Sequence, residues 1–331
     1  NNVFKQYKYI IRGIKIMKIL ITGGLGFIGS KLVEVLSINN SIIVLDNKDT
    51  YGLLNKEEEN LLYKQRTKNW INKNIQVING DILDHKSCLE AFEHSPDIVI
   101  HLAAYPRASI VDDNPILGVP KLISGTTNIL YNCGLFNVKR MIYTSSSMVY
   151  GNFNDGIKED ADTKPTNIYG EAKLTGERLT KLFAKKNNMS YIIIRPSAVY
   201  GLNDLPDRVV PKFFKKAINN ETITLHNGSN KADFTFRDDV VDGLIKATFS
   251  DVKNESFNLT AGQAFSLKTL SEKVKDITRS KSKVEDVGRH NLYPTRGTLD
   301  ISKAKEMLNY NPKINFESGL KLYYESIQNT I

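Results

Sequence analysis

Apolar and polar positions along the chain fall into short, continuous apolar runs alternating with stretches of helical period. Lys18–Thr22 is an apolar run ending in glycines, the pattern of a parallel strand buried on both faces. From about Phe27 to Ser37, Ile28, Leu32, Val33 and Leu36 share one face and predict a helix. Strands are predicted at Ser41–Asp46, Ile75–Asn79 and Asp97–Leu102, with a helix over Lys86–Phe92 before the last of them. Thr126–Cys133 belongs to another helix, Arg140–Ser145 to a strand, Tyr169–Lys185 to a helix and Tyr191–Arg195 to a strand. This alternation predicts an α/β fold, a Rossmann-type doubly wound parallel sheet.

The second half changes character. From Ser197 to about Phe234 there are Pro206, Pro211 and a short helix over Val210–Ile218. Thr235–Ser250 reads as a return to the sheet, with a helix from Asp239. Residues 263–331 read as two helices, Ser266–Thr278 and Ser302–Leu308, joined by polar connections. The expected division is a sheet domain over 17–196 plus about 235–262, and a smaller, partly interleaved C-terminal lobe over 197–234 plus about 263–331. Residues 1–16 form a basic extension with Lys5, Lys8, Arg12 and Lys15 and no acid, expected to be inessential to the fold because Met17 stands directly before the first strand.

Composition narrows the function classes. A chain of 331 residues, 41% hydrophobic and 24% charged, can bury a large core. The net charge of +9 is partly the N-terminal extension, and elsewhere acids are interspersed, so a solvated basic surface is expected and a nucleic-acid partner is not. No run of about 18 apolar residues predicts a membrane helix. Cys88 and Cys133 cannot build a disulfide framework and lack metal-ligand spacing, so no metal and a reducing, cytoplasmic setting are expected.

The run Thr22-Gly23-Gly24-Leu25-Gly26-Phe27-Ile28-Gly29 lies between a predicted strand and a predicted helix. Glycines there let the backbone turn tightly and approach a pyrophosphate, whose charge meets the helix N-terminus. Gly24, Gly26 and Gly29 fit one spacing, and Gly23, Gly26 and Gly29 another. Asp46 closes the second strand 20 residues after Gly26, where a carboxylate accepts hydrogen bonds from a ribose diol and repels a 2′-phosphate. That favours NAD over NADP.

Tyr169 and Lys173 stand four apart, hence on one helix face. A phenol of pKa about 10 is a poor base at neutral pH, and a nearby ammonium or a positive nicotinamide ring is expected to lower it. Upstream, strand Arg140–Thr144 runs into Ser145-Ser146-Ser147-Met148, putting hydroxyls at a strand end facing the crevice where open α/β sheets bind ligands.

Together these motifs resemble the extended short-chain dehydrogenase/reductases, specifically the NAD-dependent nucleotide-sugar epimerase/dehydratase family. The resemblance covers about residues 17–325 and includes Arg195-Pro196-Ser197-Ala198-Val199-Tyr200-Gly201, Asp233-Phe234-Thr235-Phe236-Arg237-Asp238-Asp239-Val240 and Leu299-Asp300-Ile301. It favours the Gly23/Gly26/Gly29 spacing and implies that the sheet domain binds NAD, through Gly23, Gly26, Phe27, Ile28, Gly29, Asp46, Asn47, Asp81, Ile82, Leu102, Ala103, Ala104, Tyr169, Lys173 and Pro196. His101 is expected to be packed rather than catalytic.

The family's catalytic Ser/Thr falls on Ser146, with Ser147 beside it toward substrate. The implied reaction is 4-epimerisation of a nucleotide sugar through a transient keto-sugar, with Tyr169 as base. Many family 4,6-dehydratases carry an Asp-Glu pair where this chain has Ser147 and Met148, so that activity is not expected. A nucleotide-keto-sugar reductase or dehydrogenase is the alternative, and a non-catalytic NAD-binding scaffold or sensor a remote one. A homodimer is expected through helices Thr126–Cys133 and Tyr169–Lys185.

The substrate half departs from the pattern. Ala198, Ala232 and Leu122 stand where the family often has Asn, Arg and Asn. Arg107, Arg208, Lys231, Arg237 and Arg296 are the candidate substitutes for binding a substrate phosphate, Arg296 foremost.

Overall fold

The computed structural model describes residues 16–70, 74–288 and 294–328, so the expected extension lies, except for Ile16, outside the described residues. The strands Lys18–Thr22 (β1), Ser41–Asp46 (β2), Ile75–Asn79 (β3), Ile98–His101 (β4), Arg140–Thr144 (β5), Ser190–Arg195 (β6) and Glu255–Asn258 (β10) form one sheet. Their order is β10-β6-β5-β4-β1-β2-β3, and every neighbouring pair is parallel. Neighbouring residues of β1 serve opposite faces, as strand geometry requires. Ile19 and Ile21 join a core with Leu32, Val33, Val44 and Leu244, whereas Leu20 joins Ile43, Val99, Ile129 and Met141. Helices Phe27–Leu36 and Arg237–Phe249 cover the first face; His85–Glu93, Pro115–Leu135 and Ile168–Lys186 cover the second.

The sheet reverses its winding between β1 and β4, which opens a crevice over their C-terminal ends. A second core lies beyond it. Ala198–Tyr200 (β7), Lys231–Phe236 (β9) and Ala264–Ser266 (β11) form a three-stranded sheet, and Ile223–Leu225 (β8) pairs with Val284–Asp286 (β12). Tyr200, Phe213, Phe214, Phe234, Phe236, Leu270 and Phe316 pack between these strands and helices Val209–Ile218, Leu267–Thr278 and Phe316–Gln328.

Three expectations differ from this arrangement. Thr235 and Phe236 do not return to the parallel sheet: they end β9, because Phe234 and Phe236 are drawn into the aromatic second core. The return comes later, at β10, after a helix that starts at Arg237 rather than Asp239. The described residues of 263–331 hold three helices instead of two, since Phe316–Gln328 also buries Phe316, Leu320 and Tyr323. Thr126–Cys133 is the last part of a 21-residue helix, Pro115–Leu135, that has Pro115 in its first turn and Pro120 inside it. Pro120 forfeits an N–H bond, so the pattern is broken while the helix continues. Lys56–Thr67 is a helix without a strong apolar stripe; only Leu62 and Arg66 of it are buried, and Asn55 and Glu58 close a capping box at its start.

Candidate active site

The crevice is a cavity of about 650 Å³ between the sheet and the second core. The glycine turn forms one wall. Gly23 has φ +72°, and a Cβ there would lie 2.8 Å from the Ala103 nitrogen; a Cβ on Gly29 would lie 2.1 Å from the Gly23 carbonyl oxygen. Both must be glycine for the turn to press against β4 and the helix to start above it. The helix Phe27–Leu36 has no side-chain cap and no acid in its first turn, so while Gly26 N donates to the Gly23 carbonyl at 3.0 Å, the first-turn N–H groups at Phe27 and Ile28 leave a positive helix end at the cleft.

Asp46 stands at the end of β2 and is 9% exposed. Its carboxylate accepts from Leu25 N at 2.9 Å and Lys48 N at 2.8 Å. One bond on each oxygen leaves further lone pairs for a diol. Burial raises its pKa, with those two backbone donors and Arg66 pulling it down. Asn47 donates to Asp81 at 2.7 Å, which joins the ends of β2 and β3 at the rim. Ile82, Leu102, Ala103, Ala104 and Pro196 complete this half of the lining. These residues fit NAD: an uncapped helix end for the pyrophosphate, a carboxylate for the ribose, small side chains along the β4 end.

His101 lies beneath the cleft. It is 2% exposed, with its ring nitrogens 2.6 and 3.1 Å from the hydroxyls of Thr22 and Thr126, and burial pushes its pKa down to about 3. It is a neutral packing residue.

Ser146 follows β5 and caps the short turn Ser147–Tyr150, accepting from Met148 N at 3.2 Å. Asn167 caps the helix Ile168–Lys186 through Gly170 N at 2.8 Å, which sets Tyr169 in its first turn. Lys173, one turn on and 5% exposed, donates to the Thr144 carbonyl at 2.8 Å and lies 5.4 Å from the Tyr143 ring centre. Ser146, Ser147, Tyr169 and Lys173 all line the cavity. Burial pushes the Tyr169 phenol up to about 12, against the charge of Arg208 and a hydrogen bond with Ser146. The opposing charge is thus Arg208, not, as expected, Lys173, whose ammonium points to the strand end. Burial pushes Lys173 down to about 8, with Glu177 opposing.

Among the cationic candidates, Arg107, Arg208, Lys231 and Arg296 line the cavity and Arg237 does not. Arg237 is 7% exposed, donates to Leu202 O at 2.8 Å and to Asp238 at 3.0 Å, and lies over Phe27. Arg208 donates to Pro106 O at 3.2 Å, Arg107 pairs with Asp207, and half-exposed Lys231 lies 3.5 Å from Asp155. Arg296 is held by its neighbours: Thr295 N donates to Asn152 at 2.8 Å, Thr298 N to Asp155 at 2.8 Å, and Phe153 N to Thr295 O at 2.9 Å. Ala198 and Ala232 line the cavity, whereas Leu122 is buried under Tyr169 with Tyr105 and Val111.

Sequence reasoning missed Arg66, Lys121, Lys212 and His226 in the lining. Arg66 donates to Asn203 O at 2.9 Å and Leu25 O at 3.3 Å, tying the glycine turn to the second core's first loop. It sits on the helix without an apolar stripe, so no pattern marked it.

A doubly wound sheet with this glycine turn, an acid ending β2 and a Tyr/Lys pair beside a strand-end serine defines an NAD-dependent short-chain dehydrogenase/reductase. Residues 19–260 match the model of the NAD dependent epimerase/dehydratase family, and the chain belongs to that family as an enzyme with NAD as its cofactor. It is 34% identical over 243 residues to the dTDP-D-glucose 4,6-dehydratase of Dictyostelium discoideum, covering 68% of this chain and 54% of that one. It is 29% identical to the UDP-glucuronate 4-epimerase of Thermodesulfobacterium geofontis, over 91% of this chain and 93% of the other. The crystal structure of UDP-glucuronic acid 4-epimerase from Bacillus cereus, in complex with UDP-glucuronic acid and NAD, superposes with a TM-score of 0.87 at 27% identity, covering 95% of this chain and all of the other. No group of three or more His, Cys, Asp or Glu among the described residues could hold a metal ion, and no described helix is long and apolar enough to cross a membrane.

Proposed function

We propose that this enzyme is a nucleotide-sugar 4-epimerase. The reading rests above all on the convergence of Ser146, Tyr169 and Lys173 on one wall of the NAD cleft, with buried Ser147 and partly buried Met148 beside them instead of an acid and a base for water loss. When bound, NAD accepts hydride from a sugar carbon and returns it, and brings a positive ring to the site. Tyr169 takes the proton of the 4-hydroxyl and gives it back. Ser146 donates a hydrogen bond to the same oxygen, and Lys173 holds a buried positive charge at the β5 end, where its ammonium would bond the nicotinamide ribose. Arg208 acts twice, drawing the phenol toward ionisation and, with Arg107, Lys231 and Arg296, attracting a substrate diphosphate. Likeness to 4-epimerases over nearly the whole chain supports the same reading.

The decisive experiment is a panel of nucleotide sugars with product NMR and no added cofactor. Interconversion of C4 epimers is expected; net consumption of NADH with a keto-sugar would instead identify a reductase. Tyr169→Phe is expected to lose about a thousandfold in turnover, and full turnover in that variant would overturn the mechanism. The enzyme is further read as a homodimer in a reducing cytoplasm. Exposed Tyr131, Leu135 and Leu182 lie on the packed helices Pro115–Leu135 and Ile168–Lys186 and give a partner an apolar face, and Cys88 and Cys133 are free thiols. Light scattering on Leu182→Glu checks the dimer: a mass unchanged from the parent would refute this face.

A further inference from the structure

Directly under the reacting groups lies a buried ion pair that the proposed mechanism does not use. Glu177 follows Lys173 by one helical turn and is 1% exposed. Its carboxylate receives Arg195 Nε at 2.9 Å and Arg195 Nη2 at 2.7 Å, a two-pronged grip, and the Ser145 hydroxyl at 2.6 Å. Arg195 is 3% exposed and uses its remaining nitrogen on the Tyr150 hydroxyl at 2.9 Å and the Glu159 carbonyl at 3.0 Å. Tyr150 in turn donates to Asn258 at 2.8 Å.

The positions matter more than the number of bonds. Ser145 immediately precedes Ser146, and Arg195 immediately precedes Pro196, whose carbonyl accepts from Ser147 N at 2.8 Å. One carboxylate on the Tyr169 helix therefore holds the ends of β5 and β6 at the level of the reacting groups. A buried ion pair is costly to assemble, and a hydrophobic pair of like volume often serves stability as well. Its place under the site calls for another account.

We infer that Glu177 is a positioning residue of the catalytic centre: it fixes the strand end that carries Ser146 against the helix that carries Tyr169 and Lys173. The inference rests on the roles proposed above for Ser146, Tyr169 and Lys173. Around Lys173 stand Tyr169 and Glu177 on its own helix, Tyr143 and the Thr144 carbonyl from β5, and neutral His101 from β4. Glu177 is the group that opposes the loss of the Lys173 proton by burial.

Two variants test this. In Glu177→Gln the NAD-bound protein, labelled with 13C at lysine Cε, is titrated by NMR, with Lys173 assigned by its disappearance in Lys173→Met. The Lys173 midpoint is expected to fall by about one pH unit, and kcat by about a hundredfold with KM little changed, using UDP-glucose or whichever panel member turns over. A purely structural glutamate would lower the melting temperature and leave that midpoint in place, which would overturn the inference. If Glu177→Gln yields no folded protein, Ser145→Ala decides: it removes one donor to the carboxylate, and kcat is expected to fall about tenfold at constant KM, beside a lowered melting temperature. An unchanged kcat there would equally overturn it. Tyr169→Phe, run alongside, separates the two levels. Full turnover in that variant fails the mechanism itself, whereas an inactive Tyr169→Phe with unaltered Glu177 and Ser145 variants fails only the positioning role.

Discussion

Lys173→Met is expected to stabilise the fold while abolishing turnover. The lysine is 5% exposed, and its pKa falls from the ordinary 10.5 to about 8. At pH 7 that displacement corresponds to about 3 kcal/mol against the folded state. Methionine fills much of the same volume without a charge. It loses the charge-assisted hydrogen bond to the Thr144 carbonyl, about 2 kcal/mol, and the net gain is about 1 kcal/mol. The sign is checked by pH. Between pH 8 and 10.5 the unfolded chain binds the proton that the folded protein has released, so the parent gains stability as pH rises through that window. Lys173→Met lacks this rise. Urea unfolding at pH 7 and at pH 10 measures both effects, with turnover measured in parallel. A variant less stable than the parent at pH 7, or one whose stability follows pH as the parent's does, would refute the reasoning. The group would then not be a charge held in the site against its own solvation.

Gly29→Ala sets a methyl 2.1 Å from the Gly23 carbonyl oxygen and is expected to cost about 3 kcal/mol, read as a lower thermal midpoint with NAD binding lost. Asp46→Ala removes the acceptor of Leu25 N and Lys48 N, and calorimetry is expected to give NAD affinity down at least about tenfold with discrimination against NADP lost. Arg296→Ala and Arg237→Ala should separate: the first raises KM by about 10- to 100-fold at an unchanged melting temperature, whereas the second, which loses its bonds to Leu202 and Asp238, lowers the melting temperature. Unchanged substrate affinity in Arg296→Ala would remove that residue from the site.

Legibility followed the range of the interactions. The six strands of the first half lie within one or two residues of the runs that predict them; in the inner strands this is because a strand covered on both faces must be apolar at nearly every position, whereas the edge strand β3 buries only Ile78 fully. Gly23, Asp46, Ser146, Tyr169 and Lys173 were legible as a set because each is tied to the end of such an element. Helix Lys56–Thr67 and its Arg66 were not, since its stability comes from caps and a few contacts rather than from a stripe. Phe316–Gln328 does carry a local signal, Phe316, Leu320 and Tyr323 on one face.

The chain alone thus determined the parallel sheet, the glycine turn and the Tyr/Lys face, all set by local period and by which residues can occupy a turn. It did not determine that Arg237 is buried against the Phe27 ring while Arg296 reaches the cleft, or that Arg208 and not Lys173 acts on the Tyr169 phenol. Nor did it reveal that Glu177, Ser145 and Arg195 meet. Charge is a property of the residue, but its effect depends on distance and on the water excluded around it, and both are fixed only when distant segments pack.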